Sequence, residues 1–513
     1  MSISWARPEW LSNVTDAQEW QRTSPFAALF FFGRLVKALA QNAWQAFAPL
    51  AAFFFAYQGE LMGKLAFAAI AIPVGLVTAS FLQYWFFRYR ITDDAVLIRQ
   101  GVFQKKQLDI KFRRIQGINT EQHLLYRPLG LVTVSFDTAG SSGREGSLPA
   151  IRAQLGEQLQ RKIAATETEA APDDVVSTPI PGEPFLQLDW RDMLRIGLSD
   201  RRALIVLAIL GPLFEQLGDR GQRILEAYAL SAASALGNLG VAGGIWVALT
   251  LVLSVVIVLA LVSIGVAFLR YHNFELFEQG GRLQTVAGLL TRHTSSMDAS
   301  KIQLLQLDQG VLLRLFGRFH AVLRQASSSG QQRQSKSLTI PIVEPGLVPA
   351  LSRLAFAPEL AGLDLDPLSA RFQPISAYYM RARIVFIGLL PAIVLITLNW
   401  TQYGAASLLL LLWLPIVALC VFLVWRRHGV QSSDDGMALR SGFIGFRLEV
   451  FAFRKVQRVT VSQSWWQRRK GLGGMRIYLA SGSVRLRYID YEQACRLRDH
   501  MLFTIESSQR SWH

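Results

Sequence analysis

A thirty-residue stretch closed at both ends by glycine, residues 101–130 (GVFQKKQLDIKFRRIQGINTEQHLLYRPLG), recurs without a gap at 288–317 and at 442–471. Three copies in one chain restrict the fold to an array of like modules, because a fixed internal period is the mark of a repeated supersecondary unit. The columns are specific. Each copy carries Gly101, Gly288 or Gly442 at its start, then a base (Arg114, Lys301, Lys455) and a glutamine (Gln116, Gln303, Gln457). A second glutamine (Gln122, Gln309, Gln463), an arginine (Arg127, Arg314, Arg468) and the closing Gly130, Gly317 or Gly471 follow. Glycine held at both ends marks turns that need a positive φ or a close backbone approach. The glutamine and arginine columns fit side chains that satisfy backbone groups where a strand turns. A binding site repeated three times is the other reading of the same columns.

Around each copy the pattern is β-rich. Residues 89–107 and 131–138 alternate apolar and polar side chains, and turn-forming runs connect them to further strands: AGSSGREGS, SSSGQQRQSKS and ASGS in the three copies. Apolar residues at helical spacing over 150–163, 347–356 and 491–502 then predict a helix that closes each module. Short antiparallel strands followed by one amphipathic helix describe a small barrel or bent sheet capped by a helix.

Each copy also follows a pair of apolar runs: 35–57 and 65–87, 203–217 and 244–269, 384–400 and 405–425. A bilayer core requires about 20 apolar residues from a helix, so these runs predict three membrane hairpins of six helices. The chain is 51% hydrophobic and only 18% charged, which is too apolar for an ordinary soluble protein. Its net charge of +16 therefore points to a membrane flank before it points to nucleic acid. Arg34, Lys37, Arg88, Arg90, Arg201, Arg202, Arg270, Arg381, Arg383, Arg426 and Arg427 all fall on one side if six helices cross. That predicts a multi-pass membrane protein with both termini and all modules cytoplasmic. Whether 203–217 and the amphipathic stretch 218–243 form one element or two stays open.

The expected fold class is an α+β integral membrane protein. Residues 1–34 form a cytoplasmic, Trp-bearing lead-in, 35–87 a hairpin, 88–163 a first module, and 164–200 a linker with a juxtamembrane helix. Residues 201–269 form the second hairpin, 270–356 the second module, 357–383 a linker, 384–425 the third hairpin and 426–513 the third module.

Chemistry-bearing motifs are sparse. Two cysteines, Cys420 and Cys495, make neither a disulfide framework nor a metal cluster, and the seven histidines lack ligand spacing. No GxxxxGK[ST] or GxSxG element occurs. The expectation is no metal, no cofactor and no enzymatic activity.

Two groups of residues stand out as binding candidates. Lys105, Lys106, Lys111, Arg113 and Arg114 lie close to the end of an apolar run, and juxtamembrane bases attract anionic lipid at about 1 kcal/mol each. A solvated basic face fits them equally. Trp465 and Trp466 stand beside Arg468, Arg469 and Lys470, a combination that suits indoles at a membrane interface with cations on phosphates. Because Leu124, Leu125, Val311 and Leu312 occupy the same columns in the other copies, packing of the Trp pair inside its module is the competing expectation.

The string YRITDDAVLIRQGVFQKK, the RRIQGI core and QHLLYRPLGLVTVSFDTAG together resemble the bacterial pleckstrin-homology (PH) domain of the YdbS/YdbT type. The second and third copies keep the glycines, the glutamines and the arginine but lose much between them. Three such modules with six spans are similar to the YdbT-like membrane proteins of that family. The resemblance implies a strongly bent sheet with a C-terminal helix and no established catalytic role. Membrane lipids, anionic ones included, or a protein partner such as a smaller PH-domain membrane protein of the same family are the ligands it implies. A membrane scaffold or envelope-stress component is the first functional expectation; a transporter or channel regulated by its cytoplasmic modules is the second.

Overall fold

The computed structural model describes residues 20–41, 61–102, 104–138, 146–168, 183–199, 246, 249–250, 252–325, 337–356, 360, 362–367 and 369–507. They fall into two compact units. One comprises the described parts of Met1–Ile180 with Leu290–Ser296; the other comprises those of Pro181–Leu289, Met297–Ser327 and Gln332–His513.

In the first unit, helices α1 (Ala27–Gln41) and α2 (Leu61–Phe86) precede strands β1 (Arg88–Ile91), β2 (Ala95–Gln100) and β3 (Lys106–Lys111). A 3₁₀ turn over Phe112–Arg114 leads into β4 (Ile115–His123), followed by β5 (Leu131–Thr138), β6 (Gly146–Arg152) and α3 (Ala153–Thr168). Strands β1-β2-β3 form one antiparallel sheet and β6-β5-β4 part of another. The thirty-residue repeat is the passage between them: it opens at the turn before β3, swings through the 3₁₀ turn and ends at the turn before β5. The inward residues of both sheets, among them Val96, Ile98, Ile110, Ile115, Val134 and Phe136, share one core, which Leu159 and Ile163 of α3 close from an i, i+4 stripe. Ala27 and Phe31 of α1 and Phe87, just past the end of α2, join the same core.

The second unit holds β7 (Leu186–Gln187), α4 (Trp190–Ser199), α5 (Val252–Tyr271), β8 (Glu275–Gln279), β9 (Arg282–Ala287) and, beyond residue 296, the end of β10 (Thr291–Asp298). Then follow β11 (Ile302–Gln309), α6 (Val311–Leu315), β12 (Phe319–Gln325), β13 (Ser337–Val343) and α7 (Val348–Phe356). The last repeat adds β14 (Gln373–Pro374), α8 (Tyr378–Arg383), α9 (Leu390–Tyr403), α10 (Trp413–Arg427), β15 (Gly429–Ser432), β16 (Gly436–Ser441) and β17 (Phe446–Ala452). It ends with β18 (Val456–Ser462), α11 (Trp465–Arg468), β19 (Leu472–Leu479), β20 (Gly482–Asp490) and α12 (Tyr491–Ser507). A seven-stranded sheet runs β13-β12-β11-β17-β16-β15-β14, so strands of the second and third repeats share one sheet and, through Leu305, Leu307, Leu448 and Val450, one core.

The glycine columns are turn positions. Gly130, Gly317 and Gly471 sit at φ +61°, +62° and +63°, and Gly101, Gly288 and Gly442 at +110°, +114° and +151°. Only glycine adopts these conformations without steric cost.

Several boundaries differ from those expected from hydropathy. The segments read as linkers, 164–200 and 357–383, contain the first strand of the following module: Leu186 and Gln187 pair with Leu276 and Glu275, and Gln373 and Pro374 with Val430 and Gly429. Gln21, in the N-terminal lead-in, bridges Tyr89 in the same way. Helical segments therefore lie between each module's first strand and its second. Two-residue strands leave no alternation to detect, which is why they read as linker. Within 357–383, Leu360, Leu363 and Leu365 are buried in the core of the second unit. Helix α1 begins at Ala27, ahead of residue 35, because Phe30 and Phe31 already extend the apolar face. The closing helices run to Thr168 and Ser507, past the expected ends at 163 and 502.

Two helices, Val252–Tyr271 and Tyr378–Arg427, are long and apolar enough to cross a membrane, and Ile70–Phe86 is a shorter apolar helix. Six such helices are not seen among the described residues; 203–217, 218–243 and the greater part of 35–57 lie outside them. The Tyr378–Arg427 stretch folds back on itself. Gly404, at φ +52°, ends α9, and the Trp413 indole Nε1–H donates to the Ile387 carbonyl at 3.4 Å. Those residues would stand about 39 Å apart along one straight helix at 1.5 Å per residue, so the expected hairpin is present here.

Candidate anion-binding groove

The joint between β11 and β17 builds the most chemically distinctive surface of the second unit. Asp308 lies opposite Arg447 and the two form an ion pair at 2.6 Å. Beside it opens a groove of about 750 Å³ lined by Ile196, Ser199, Tyr271, Asp308, His320 and Arg447. Ser199 ends α4 and Tyr271 ends α5, so the ends of both helices line the groove. The Ile444 backbone on its wall accepts a hydrogen bond from Arg314 at 3.3 Å.

Arg314 belongs to a cluster. The guanidiniums of Arg314, Arg440 and Arg426 all lie close enough to Arg427 to repel it. Arg426 and Arg427 occupy the last turn of α10, where cations meet the negative end of the helix dipole. Arg440 stacks on the Phe372 ring at 4.6 Å, donates to the Arg427 carbonyl at 3.2 Å, and has its pKa lowered by burial. Among the described residues none of the four is paired with a carboxylate. Like charges gathered without a counter-charge form a site an anion would relieve.

Further acids and bases at the same joint are satisfied locally. Burial raises the Glu449 carboxyl, against the opposing pull of Arg447 and Arg324. Lys455 is fully buried and its Nζ donates to the Ser300 carbonyl at 2.5 Å. His428 sits behind Arg427, stacked on Tyr379 at 5.8 Å and bonded through Nδ1 to the Val424 carbonyl at 2.8 Å; burial lowers its pKa.

The residues singled out from sequence separate into distinct roles. Lys105, Lys106, Lys111, Arg113 and Arg114 are exposed along β3 and the 3₁₀ turn after it, interrupted by Asp109, and none forms an ion pair among the described residues. Trp465 and Trp466 are 58% and 52% exposed, not packed inside the module. Ser464 caps their short helix in a capping box, and Arg469 lies over the Trp465 ring at 3.8 Å; Arg468 and Lys470 are exposed beside them. Leu124, Leu125, Val311 and Leu312 are exposed as well, so every repeat presents an apolar pair at this position.

The shared glutamines divide. Gln122, Gln309 and Gln463 each donate from Nε2 to a backbone carbonyl nine residues on, Leu131, Arg318 and Leu472, at 3.3, 3.2 and 2.8 Å. That bond ties the end of one strand to the start of the next. The earlier glutamines share no such role: Gln303 is buried, Gln457 is exposed, and the Gln116 side chain lies outside the described residues. Of the base column, Lys301 stands 3.9 Å from Asp298 and Arg114 is exposed. The arginine cluster was missed because its members lie far apart in the chain; Arg314 in the shared arginine column and the run Arg426–Arg427 at the end of an apolar stretch were its visible traces.

Comparison with known proteins agrees with this geometry. Residues 45–167, 231–352 and 384–502 each match the family model described as Bacterial PH domain. The chain belongs to the bacterial PH domain family. Each match includes helical residues ahead of the β-module. The chain is also 24% identical, over 84% of its length and 87% of the relative's, to the UPF0699 transmembrane protein YdbT of Bacillus subtilis (strain 168).

Proposed function

We propose that this chain is a multi-pass protein of the bacterial plasma membrane that holds anionic headgroups, phosphate esters above all, against its PH modules and so acts as a scaffold at the cytoplasmic face. The observation that carries this reading is the carboxylate-free cluster of Arg314, Arg426, Arg427 and Arg440 where the third hairpin leaves the membrane. Arginine presents a planar fork suited to phosphate, and the neighbouring groove offers apolar walls at Ile196 and Val311. The exposed apolar pairs of the three repeats add interfacial contacts, the Trp465–Trp466 pair being the best suited. Six crossings with cytoplasmic termini complete the proposal, supported by bases at the helix ends and by the name of the Bacillus relative.

The test is lipid retention by the whole protein. The full chain, extracted from membranes containing phosphatidylglycerol and phosphatidylethanolamine, is expected to keep the anionic lipid selectively through detergent purification. Arg314→Gln with Arg426→Gln should reduce that selectivity at least fivefold. Equal retention of both lipids by the parent protein, or unchanged retention by the variant, defeats the proposal.

A further inference from the structure

The two strand pairings between successive repeats share one register, and that register leaves an unanswered charge at the first repeat. In the first unit, β4 lies antiparallel to Thr291–Ser295, with His123 opposite Thr291 and Glu121 opposite His293. In the second unit, β11 lies antiparallel to β17, with Gln309 opposite Phe446 and Asp308 opposite Arg447. Glu121 and Asp308 each stand twenty residues after their repeat's opening glycine, and His293 and Arg447 each stand five residues after theirs. The same column therefore meets the same column at both joints. Each time an acid faces a base, at 3.8 Å for Glu121 and His293 and at 2.6 Å for Asp308 and Arg447.

The base of the first repeat faces no acid among the described residues. Its residue five places after Gly101 is Lys106, exposed on β3, and β3 ends the sheet β1-β2-β3. Among the described residues no strand pairs with its outer edge and Lys106 has no ion pair. The third repeat leaves the opposite edge open, with no acid on it. Strand β18 also ends its sheet, but the residue twenty places after Gly442 is Ser462.

We propose that the outer edge of β3 is a docking edge for an acidic extended strand on a separate polypeptide, added antiparallel in the register of the internal joints with Asp or Glu opposite Lys106. An unpaired edge strand is a template for strand addition, in which backbone hydrogen bonds bind and alternate side chains select. A lysine on that edge repels a basic strand and favours an acidic one over a neutral one. A second copy of this chain does not fit: its open β18 edge would bring Ser462 to Lys106 and Arg458 toward the same basic stretch. The proposal uses other residues than the arginine cluster, so it stands or falls separately from the headgroup reading.

The probe is a peptide of residues 115–123 (IQGINTEQH), the strand that already receives such a partner within the first unit. In that joint Thr120 faces Thr294, six places after its opening glycine, which corresponds to Gln107 in the first repeat. The full chain carries Cys420→Ser, Cys495→Ser and Gln107→Cys and is held in nanodiscs; the peptide carries Thr120→Cys. Disulfide capture is expected at least tenfold above that of a peptide bearing Asn119→Cys instead. Lys106→Glu should reduce capture at least tenfold, and a peptide that also carries Glu121→Lys should restore it. Capture without register preference, capture indifferent to Lys106→Glu, or stronger capture of a peptide of residues 456–462 with a cysteine at Val461 overturns the proposal.

Discussion

At the scale of the residue, glycine and histidine make the sharpest tests. Gly471 has a left-handed backbone with nothing within 4 Å of an added Cβ, whereas a Cβ at Gly101 would come within 2.0 Å of the Gln104 carbonyl oxygen. Gly471→Ala should therefore cost only the conformational penalty of about 1 kcal/mol, and Gly101→Ala clearly more, read as the order of their thermal midpoints. His428 tests pH dependence. Its folded pKa lies below the ordinary value because burial disfavours the cation. The neutral ring's contribution is present above the unfolded value of about 6.5 and is lost as pH falls through the folded value. Thermal midpoints measured from pH 7.5 downward should fall more steeply for the parent than for His428→Phe, which keeps an aromatic ring beside Tyr379 and removes the proton site. Parallel curves would count against a buried neutral histidine. These roles differ in how visible they were: six glycines on one spacing expose a backbone demand directly, but nothing around His428 in sequence indicates burial.

The scale of the element brings in helix packing and the clamps at the hairpin roots. A Cβ on Gly388 would lie 3.0 Å from Leu414 and 3.3 Å from Val417, so the two arms of the third hairpin approach through this position. Gly388→Leu should pry the arms apart and lower the thermal midpoint by several degrees; Gly75→Leu, with open space around it, should leave it within a degree or two. Equal effects would show that the hairpin is not packed through Gly388. The clamps follow the same logic of paired segments. Gln21 meets Tyr89, Leu186 meets Leu276 and Gln373 meets Val430, each at the residue twelve places before the opening glycine. Arg99 over Trp20 and Arg440 over Phe372 reinforce two of them from equivalent columns. The chain before and after each set of helical segments is thus stitched together, which fixes the module to its helices by more than a flexible tether.

For the whole molecule, the proposed six-crossing arrangement predicts that Tyr403, at the turn of the third hairpin, lies outside the cell and that Ser483, exposed just after the β19–β20 turn, lies in the cytoplasm. Single cysteines at these positions in a cysteine-free background should react with an impermeant maleimide in intact cells at the first and not at the second. The reverse pattern would invert the topology. The Asp308–Arg447 pair tests the joint between repeats: Asp308→Asn removes the acid from an ion pair that is half exposed on its arginine side. A loss on the order of 0.5 kcal/mol is expected, with a larger effect on the thermal midpoint at low salt than at high salt. Salt-independent loss would mean that the carboxylate acts through packing or hydrogen bonding instead.

The sequence by itself determined the threefold repeat, the positive-φ turns, the alternation that makes the strands and the helix that closes each module, because all of these are local demands written at fixed spacing. It also placed the apolar stretches of the third hairpin close to where they fold. Only the tertiary structure decided which strand lies beside which. Backbone hydrogen bonds between β11 and β17 carry no side-chain signature, so the sharing of one sheet by two repeats was hidden. The exposure of Trp465 and Trp466 depended on where their short helix lies on the module. The Arg314, Arg426, Arg427 and Arg440 cluster was hidden for the same reason: charges distant in the chain become a site only after the repeat joint brings them together.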